Sequence, residues 1–208
     1  GLDPGIDHMS AMQLIHKIQN EGGIISSFRS HCGGLVAPES DNNPWHYKIS
    51  WNPRNVVLAG NAGAIFKEDE EIKNIPYRTL FEDCGEVNIP ELGKLAFYPN
   101  RDSLSYIPLY ELGTAHTFIR TTLRHTSFCD AWRYIVKAGL TGDVTTIDTK
   151  LLTFKTWSES ILPFVTAANG FPTQFDAART AQSNKKGAVG DDRGNLETFR
   201  TALNTELY

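Results

Sequence analysis

Residues 116–139 read HTFIRTTLRHTSFCDAWRYIVKAG, and this stretch decides the fold. Its first ten residues are rich in β-branched and aromatic side chains, which predicts a strand over 116–125. Apolar residues then recur at helical spacing as far as Gly139, which predicts a helix with one buried face. The helical stripe consists of Phe128, Ala131, Trp132, Ile135 and Val136. Ser127 and Asp130 have the spacing of a capping box at its start.

Strand patterns dominate before this point and helical patterns after it. The sequence therefore predicts an α+β protein, with a mixed-sheet unit over residues 1–127 and a partial helical unit over 128–208. A helix is predicted over 8–21, with Ala11, Leu14, Ile15 and Ile18 as its apolar stripe. The other predicted elements are strands at 24–30, 47–51, 87–89 and 94–98, a short helix at 56–64, a hairpin at 64–76, and helices around 157–165 and 197–207.

The composition excludes several classes of function. The chain has 208 residues, a net charge of -4 and 40% hydrophobic residues, which is ordinary for a globular protein and unlike a nucleic-acid binder. No apolar run has the ~18 residues needed to span a bilayer. Cys32, Cys84 and Cys129 are an odd and widely spaced set, so neither a disulfide framework nor a metal site is predicted. A reducing, cytoplasmic setting is the default expectation.

The first eight residues, GLDPGIDH, hold two carboxylates, an imidazole and a Pro-Gly turn. They begin without an initiator Met, which suggests a chain cut from a longer protein close to a functional site. A plainer interpretation is a helix start, with Asp7 or Ser10 as the cap. That interpretation explains Asp3 less well, because Asp3 precedes the turn.

Three further clusters carry side chains suited to a binding site. Cys32 precedes Gly33-Gly34, where the backbone can approach a neighbour closely, although a buried core cysteine is an equal alternative. The stretch 50–54 reads SWNPR, where the tryptophan can simply fill the core. The segments 98–103 (YPNRDS) and 120–124 (RTTLR) carry arginines at strand ends, which suit carboxylate binding but also occur in surface salt bridges.

Taken in order, GLDPGIDHM, CGGLVAPES, YKISWNPR, YPNRDS and IRTTLR resemble the saccharopine dehydrogenase (L-glutamate-forming) family over roughly residues 1–139. The resemblance implies a three-part protein with an N-terminal Rossmann domain that binds NADP or NAD. A mixed-sheet domain for substrate binding and dimerisation follows, with a helical domain inserted in it. The present chain corresponds to the substrate domain and part of the helical domain. The Rossmann domain is absent from it.

The resemblance also implies a reaction and a set of site residues. The family oxidises saccharopine to glutamate and α-aminoadipate semialdehyde, or runs the reverse, through an imine and with a nicotinamide coenzyme that carries the hydride. Asp3 and Cys32 match catalytic positions, and Cys32 is given no covalent role. The implied substrate-binding residues are Asp3, Arg101, Thr122, Leu123 and Arg124. The implied cofactor-binding residues are Leu2, Asp3, Pro4, Trp51 and Asn52.

Three departures from the family pattern leave the substrate open to alternatives. Val36 stands where proline is usual, His31 where tyrosine is common, and Asn52-Pro53 where two serines follow the tryptophan. One alternative is a carboxynorspermidine or homospermidine-type dehydrogenase, which shares the architecture. Another is a non-enzymatic dimerisation or ligand-binding module. The expected partners are saccharopine or its products, the chain's own Rossmann domain and a second copy in a homodimer.

Overall fold

The computed structural model describes residues 2–50, 52–143, 146–157 and 159–160, and for Leu2 the backbone alone. The chain divides into two compact units. The first contains Gly1–Tyr47 and Arg54–Gly142, and the second contains Lys48–Pro53 and Asp143–Tyr208. The helices predicted around 157–165 and 197–207 lie mostly or wholly outside the described residues.

The described residues form a mixed sheet flanked by helices, which confirms the α+β class. The helices are α1 (Asp7–Asn20), α2 (Pro53–Val57) and α3 (Thr126–Lys137), with short 3₁₀ turns at Pro38–Ser40, Tyr77–Thr79 and Leu104–Tyr106. The strands are β1 (Ser27–Cys32), β2 (Ala64–Glu68), β3 (Glu71–Ile75), β4 (Gly85–Ile89), β5 (Gly93–Pro99), β6 (Arg101–Asp102) and β7 (Thr117–Arg124). None of the helices in this described part is long and apolar enough to cross a membrane.

Strand β7 is the centre of the sheet. The principal strand order is β3-β2-β7-β5-β4, and β1 pairs with β7 in parallel from Ser27↔Thr117 to Cys32↔Thr122. Strand β5 pairs antiparallel with the second half of β7, and β2 meets it at Phe118. Since a strand has two edges, β1 occupies one edge of β7, and β2 and β5 share the other.

Two groups of buried side chains form the core beside this central strand. Phe118 is fully buried and forms one cluster with Ile15 of α1, Tyr110, Leu112 and Ala115. A second group of aromatic residues lies between the β4–β5 region and α3, where Phe81 contacts Tyr98 and Tyr47 contacts Phe128. The burial of Phe128, Cys129 and Val136 explains why α3 packs with the sheet.

Most predicted elements are confirmed, including α1, the β2–β3 hairpin, β4, β5, β7 and α3. Within α1, however, Leu14 is 60% exposed, so the predicted apolar stripe is narrower than expected. Strand β1 begins at Ser27 rather than at residue 24, and Ile24 is 87% exposed.

The strand predicted at 47–51 is wrong for its described residues, 47–50, which form no strand. A turn organised by Asn43 precedes them, since its side-chain amide donates to the Tyr47 carbonyl at 2.9 Å. Tyr47 is then directed into the core against Phe128 instead of into a strand. The helix predicted at 56–64 is also wrong in extent, because α2 ends at Val57 and left-handed glycines follow at Gly60 and Gly63.

The predicted capping box at α3 is wrong as well. The helix begins at Thr126, so His125 is its N-cap and Ser127 lies inside the first turn. The Ser127 hydroxyl is buried and has no hydrogen-bond partner among the described residues. The first compact unit continues through α3 to Gly142. Most of the helical domain predicted over 128–208 falls outside the described residues, so the predicted domain division stays a prediction.

Candidate active site

The turn at Leu2–Ile6 presents Asp3 beside the central strand. Asp3 and Pro4 have extended backbones, and Gly5 has a φ of 153°, a value that glycine adopts most easily. The Gly5 amide donates to the Asp7 carboxylate at 3.1 Å and closes the turn into α1. The sequence Asp-Pro-Gly therefore places the first carboxylate off the helix and the second within its first turn.

A buried arginine, Arg120 of β7, connects these two carboxylates. Its Nη2 donates to Asp3 Oδ1 at 2.7 Å and lies 3.5 Å from Asp7 Oδ2. The Arg120 side chain is 7% exposed and that of Asp7 8%, whereas Asp3 keeps 26% of its surface exposed. Arg120 therefore ties the start of the chain to the centre of the sheet, and Asp3 is the member of this pair of carboxylates that faces solvent.

Aromatic rings pack against the Arg120 side chain. The Arg120 guanidinium carbon lies 4.0 Å from the centre of the Tyr106 ring, a distance typical of a cation–π contact. The His8 imidazole stacks on Tyr106 and its Nδ1 is hydrogen-bonded to the Tyr110 hydroxyl. Burial raises the pKa of Tyr110 above its usual value, so this phenol stays protonated near neutral pH.

The same groups have ligand atoms close enough to hold a metal ion. Those of Asp3, Asp7 and His8 all lie within 4.8 Å of one another. The Arg120 guanidinium already supplies a positive charge to both carboxylates, and a metal cation would have to lie beside it. The donor set therefore favours an ion-paired cluster over a metal centre.

Strand register extends the cluster into a row of side chains on one face of the sheet. Side chains two residues apart on a strand share a face, so Arg120, Thr122 and Arg124 of β7 point the same way. On β7, Thr122 pairs with Cys32 of β1 on one side and with Tyr98 of β5 on the other. These three side chains therefore lie side by side, and Thr122 is two residues along β7 from Arg120.

Two groups in this row stay protonated at neutral pH. Burial raises the pKa of the Cys32 thiol, and the nearby negative charges of Asp3 and Asp7 raise it further. Burial raises the pKa of Tyr98 to about 12. The site therefore offers a neutral thiol and a neutral phenol, which can donate hydrogen bonds but are poor nucleophiles.

Arg124 lies at the far end of the same face. Its guanidinium carbon is 4.8 Å from the centre of the Tyr47 ring and 5.6 Å from that of Phe128, and Nη1 donates to the Leu123 carbonyl. Its Nε is buried and has no hydrogen-bond partner among the described residues. An unpaired donor of this kind costs free energy, which an acceptor at this position would offset.

Arg101 lies on an exposed backbone position beside the Asp3 contact. Asn100 donates from its side-chain amide to Asp3 Oδ2 at 3.4 Å, and its backbone amide bonds to the Arg120 carbonyl. Arg101 follows with a left-handed φ of 50°. Within the described part of the chain, its guanidinium makes neither an ion pair nor a hydrogen bond.

The structure places Asp3, Cys32 and Thr122 on one side of the sheet. Arg124 lies farther along the same face, and Arg101 follows Asn100, which contacts Asp3. Leu123 differs, because strand alternation turns its side chain to the opposite face, where it is 7% exposed. Pro4 lies in the same turn as Asp3, the side chains of Leu2 and Trp51 are outside the described residues, and Asn52 belongs to the second unit. The binding and catalytic roles of all these residues stay predictions.

Sequence reasoning did not identify the groups that hold Asp3. The sequence pattern groups Arg120 with Arg124 as a possible carboxylate binder and assigns no role to Tyr106 or Tyr110. The available signal was the spacing of Arg120, Thr122 and Arg124, which places them on one face of a strand. The contact of Arg120 with Asp3 joins residues 117 positions apart in sequence.

Comparison with known proteins gives consistent results. The profile of the saccharopine dehydrogenase C-terminal domain family matches residues 1–187. The chain is 42% identical over 139 residues to saccharopine dehydrogenase [NADP(+), L-glutamate-forming] of Schizosaccharomyces pombe, covering 67% of this chain and 31% of that protein. It is 39% identical over 142 residues to alpha-aminoadipic semialdehyde synthase of Arabidopsis thaliana, covering 67% of this chain and 13% of that protein.

A solved structure is similar in fold. Apo histidine-tagged saccharopine dehydrogenase (L-Glu forming) from Saccharomyces cerevisiae superposes with a TM-score of 0.72 at 32% identity. The match covers 86% of this chain and 43% of that chain. The chain therefore spans less than half the length of these relatives.

Proposed function

The chain belongs to the saccharopine dehydrogenase C-terminal domain family, and from this premise we propose that it forms the substrate-binding part of an NADP-dependent, L-glutamate-forming saccharopine dehydrogenase. The proposed reaction interconverts saccharopine with glutamate and α-aminoadipate semialdehyde. The observation that carries the proposal is the partly exposed Asp3 carboxylate, held by buried Arg120 on the same sheet face as Cys32, Thr122 and Arg124.

Asp3 is suited to orient the reacting nitrogen. One of its oxygens is bound by Arg120, while among the described residues Oδ2 has only a long contact of 3.4 Å with Asn100. A secondary ammonium or iminium group can donate to that second oxygen, since hydrogen bonds between charged groups are the stronger kind. Asp3 would thereby fix the position of the C–N bond on which the reaction takes place.

Cys32 is suited to donate a hydrogen bond to the substrate or to a water molecule. Burial and the charges of Asp3 and Asp7 raise the pKa of its thiol, which keeps the proton on sulfur. A protonated thiol beside Asp3 supports a polar or proton-managing role. It gives no support to a covalent one.

Saccharopine carries three carboxylates, and the site offers arginines that can bind them. Arg101 is exposed and its guanidinium makes neither an ion pair nor a hydrogen bond among the described residues, and Arg124 has a buried Nε without a partner there. Planar guanidinium groups bind carboxylates with two parallel hydrogen bonds. More than one such arginine favours saccharopine over a carboxylated polyamine imine.

The nicotinamide coenzyme, when bound, would supply hydride chemistry. In the described ranges no glycine-rich turn connects a strand to a helix N-terminus, and Gly33-Gly34 leads into a loop instead. These residues therefore do not fit the pyrophosphate of a dinucleotide. Coenzyme binding is accordingly assigned to a Rossmann domain outside this chain. Homodimer formation and a cytoplasmic location remain predictions from the resemblance and the composition.

The test is substitution of Arg101 in the full-length protein. Arg101→Ala should raise the KM for saccharopine roughly 30- to 1000-fold, because loss of a charged bidentate contact costs about 2–4 kcal/mol. Initial rates at varied saccharopine and saturating NADP measure this change. Arg78→Ala, at an exposed arginine in a 3₁₀ turn, is the matched control and should leave the KM unchanged.

Two outcomes would contradict the proposal. An unchanged KM in Arg101→Ala would remove Arg101 from the pocket. Absence of saccharopine turnover in the unsubstituted full-length protein, together with turnover of a carboxylated polyamine, would favour the alternative substrate.

A further inference from the structure

Two cysteines outside the candidate active site share one surface cavity. Cys84 immediately precedes β4, and Cys129 lies in the first turn of α3. Both line an open depression with a volume of about 160 Å³. Phe81 and Ala96 form part of its apolar wall.

The two thiols differ in exposure and influence each other. Cys129 is 2% exposed, whereas Cys84 is partly exposed. The neighbouring Cys129 thiol lowers the pKa of Cys84, against the opposing effects of burial and of the Asp130 and Asp83 charges. Cys84 is therefore the thiol of the pair that an oxidant reaches more easily, and its lowered pKa favours the reactive thiolate.

We propose that Cys84 and Cys129 form an oxidisable dithiol, in which a small neutral hydroperoxide reacts with Cys84 and Cys129 then closes a disulfide. The inference rests on the cavity that the two cysteines share and on the difference in their exposure. It does not depend on the substrate of the enzyme.

The chemistry balances in two steps. The Cys84 thiolate attacks one oxygen of the hydroperoxide, so an S–O bond forms, the O–O bond breaks and the released alkoxide takes a proton as an alcohol. The Cys129 sulfur then attacks the Cys84 sulfenic acid, so an S–S bond forms and the S–O bond breaks. The leaving hydroxide takes the Cys129 proton and departs as water. Two thiols are oxidised and one hydroperoxide is reduced to an alcohol and water.

Charge around the cavity selects the class of oxidant. Four carboxylates line it, namely Glu82, Asp83, Glu86 and Asp130. Lys137 pairs with Glu82 at 2.6 Å and Lys94 pairs with Glu86 at 2.7 Å, which leaves Asp83 and Asp130 without an ion pair among the described residues. This negative excess repels anionic oxidants such as glutathione disulfide and admits neutral hydrogen peroxide.

The test treats the full-length protein, folded and reduced, with hydrogen peroxide and maps its peptides by mass spectrometry. A Cys84–Cys129 linked peptide that has lost two hydrogens is expected, and it should also form in Cys32→Ser. In Cys129→Ser, a dimedone adduct should accumulate at Cys84, because the second sulfur is missing. The oxidised wild type should also unfold roughly 5 °C higher, since the bond closes a long loop.

Peptide mapping of the unsubstituted protein tests the proposal even if a cysteine variant fails to fold. Absence of the linked peptide after oxidation under native conditions overturns the proposal. So does a linked peptide that contains Cys32, or a dimedone adduct at Cys32 in preference to Cys84. Oxidation by glutathione disulfide as fast as by hydrogen peroxide would overturn the assignment of the oxidant class.

Discussion

Arg120 is the residue on which the candidate site depends. Its guanidinium lies between two carboxylates and over a tyrosine ring, and its own side chain is 7% exposed. Its backbone is fixed as well, because its amide donates to Ser103 Oγ at 3.0 Å and its carbonyl accepts from Asn100 at 2.8 Å. A side chain held at both ends in this way sets the position of Asp3.

Replacement of Arg120 by methionine should destabilise the protein by about 2–4 kcal/mol, because it leaves two close carboxylates without their cation. Chemical denaturation of the wild type and the variant measures the difference in the free energy of unfolding. Asp3→Asn in the Arg120→Met background should restore part of the loss, since the repulsion between carboxylates is then removed. Strictly additive effects of the two substitutions would show that Arg120 and Asp3 are not coupled.

At the scale of single residues, the sequence indicated which side chains could form a site but not which of them contact one another. Asp3 and Cys32 stood out because each adjoins residues that form turns. Arg120 did not stand out as their partner, because its meeting with Asp3 follows from the parallel pairing of β1 with β7 and from the packing of α1 on the sheet. Neither of these long-range relations has a local pattern in the sequence.

Among the elements, β7 positions most of the site. Its alternation separates Arg120, Thr122 and Arg124 from Thr121 and Leu123, so one strand supplies both a polar row and part of the opposite, buried face. Neighbouring strands add Cys32 and Tyr98 to the polar row through their register. A slip of one residue in either pairing would turn these side chains away from the site.

The turn after β1 allows this register to be tested by substitution. A Cβ atom on Gly33 would lie 2.3 Å from the Leu123 carbonyl oxygen, whereas a Cβ on Gly34 would meet nothing within 4 Å. Gly33→Ala should therefore destabilise the protein by roughly 1–3 kcal/mol, because backbone must move to relieve the contact.

Gly34→Ala is the matched control and should change the free energy of unfolding little. Thermal unfolding of both variants measures the difference. Equal stabilities for the two would show that β1 and β7 do not approach as closely as described.

The accuracy of element prediction followed the strength of the local pattern. The acidic turn between β2 and β3 and the β-branched run of β7 specify their elements locally, and both were predicted. The apolar residues at 47–51 indicated a strand, but Asn43 forms a turn just before them and Tyr47 packs in the core against Phe128. Tertiary packing overrode propensity there.

At the scale of the whole molecule, the chain accounts for 31% of its fission-yeast relative and 43% of the budding-yeast structure. Its described residues supply the proposed substrate-binding face and no dinucleotide-binding turn. The proposed activity therefore requires a second surface that would bind the nicotinamide coenzyme.

A polypeptide of only these 208 residues should show no saccharopine-dependent reduction of NADP. Absorbance of NADPH at saturating saccharopine measures this, with the full-length protein as the positive control. Turnover by the isolated chain would contradict the assignment of coenzyme binding to a separate Rossmann domain.

The ion pair between Asp3 and Arg120 also has a consequence for the order of folding. It joins residues 117 positions apart, while the β2–β3 and β4–β5 hairpins join near neighbours. Closing so long a loop costs more chain entropy than closing a hairpin, so such a contact is favoured only after the intervening strands have paired. The residues proposed to bind the substrate would thus come together late in folding, and a chain with a mispaired sheet would not bring them together.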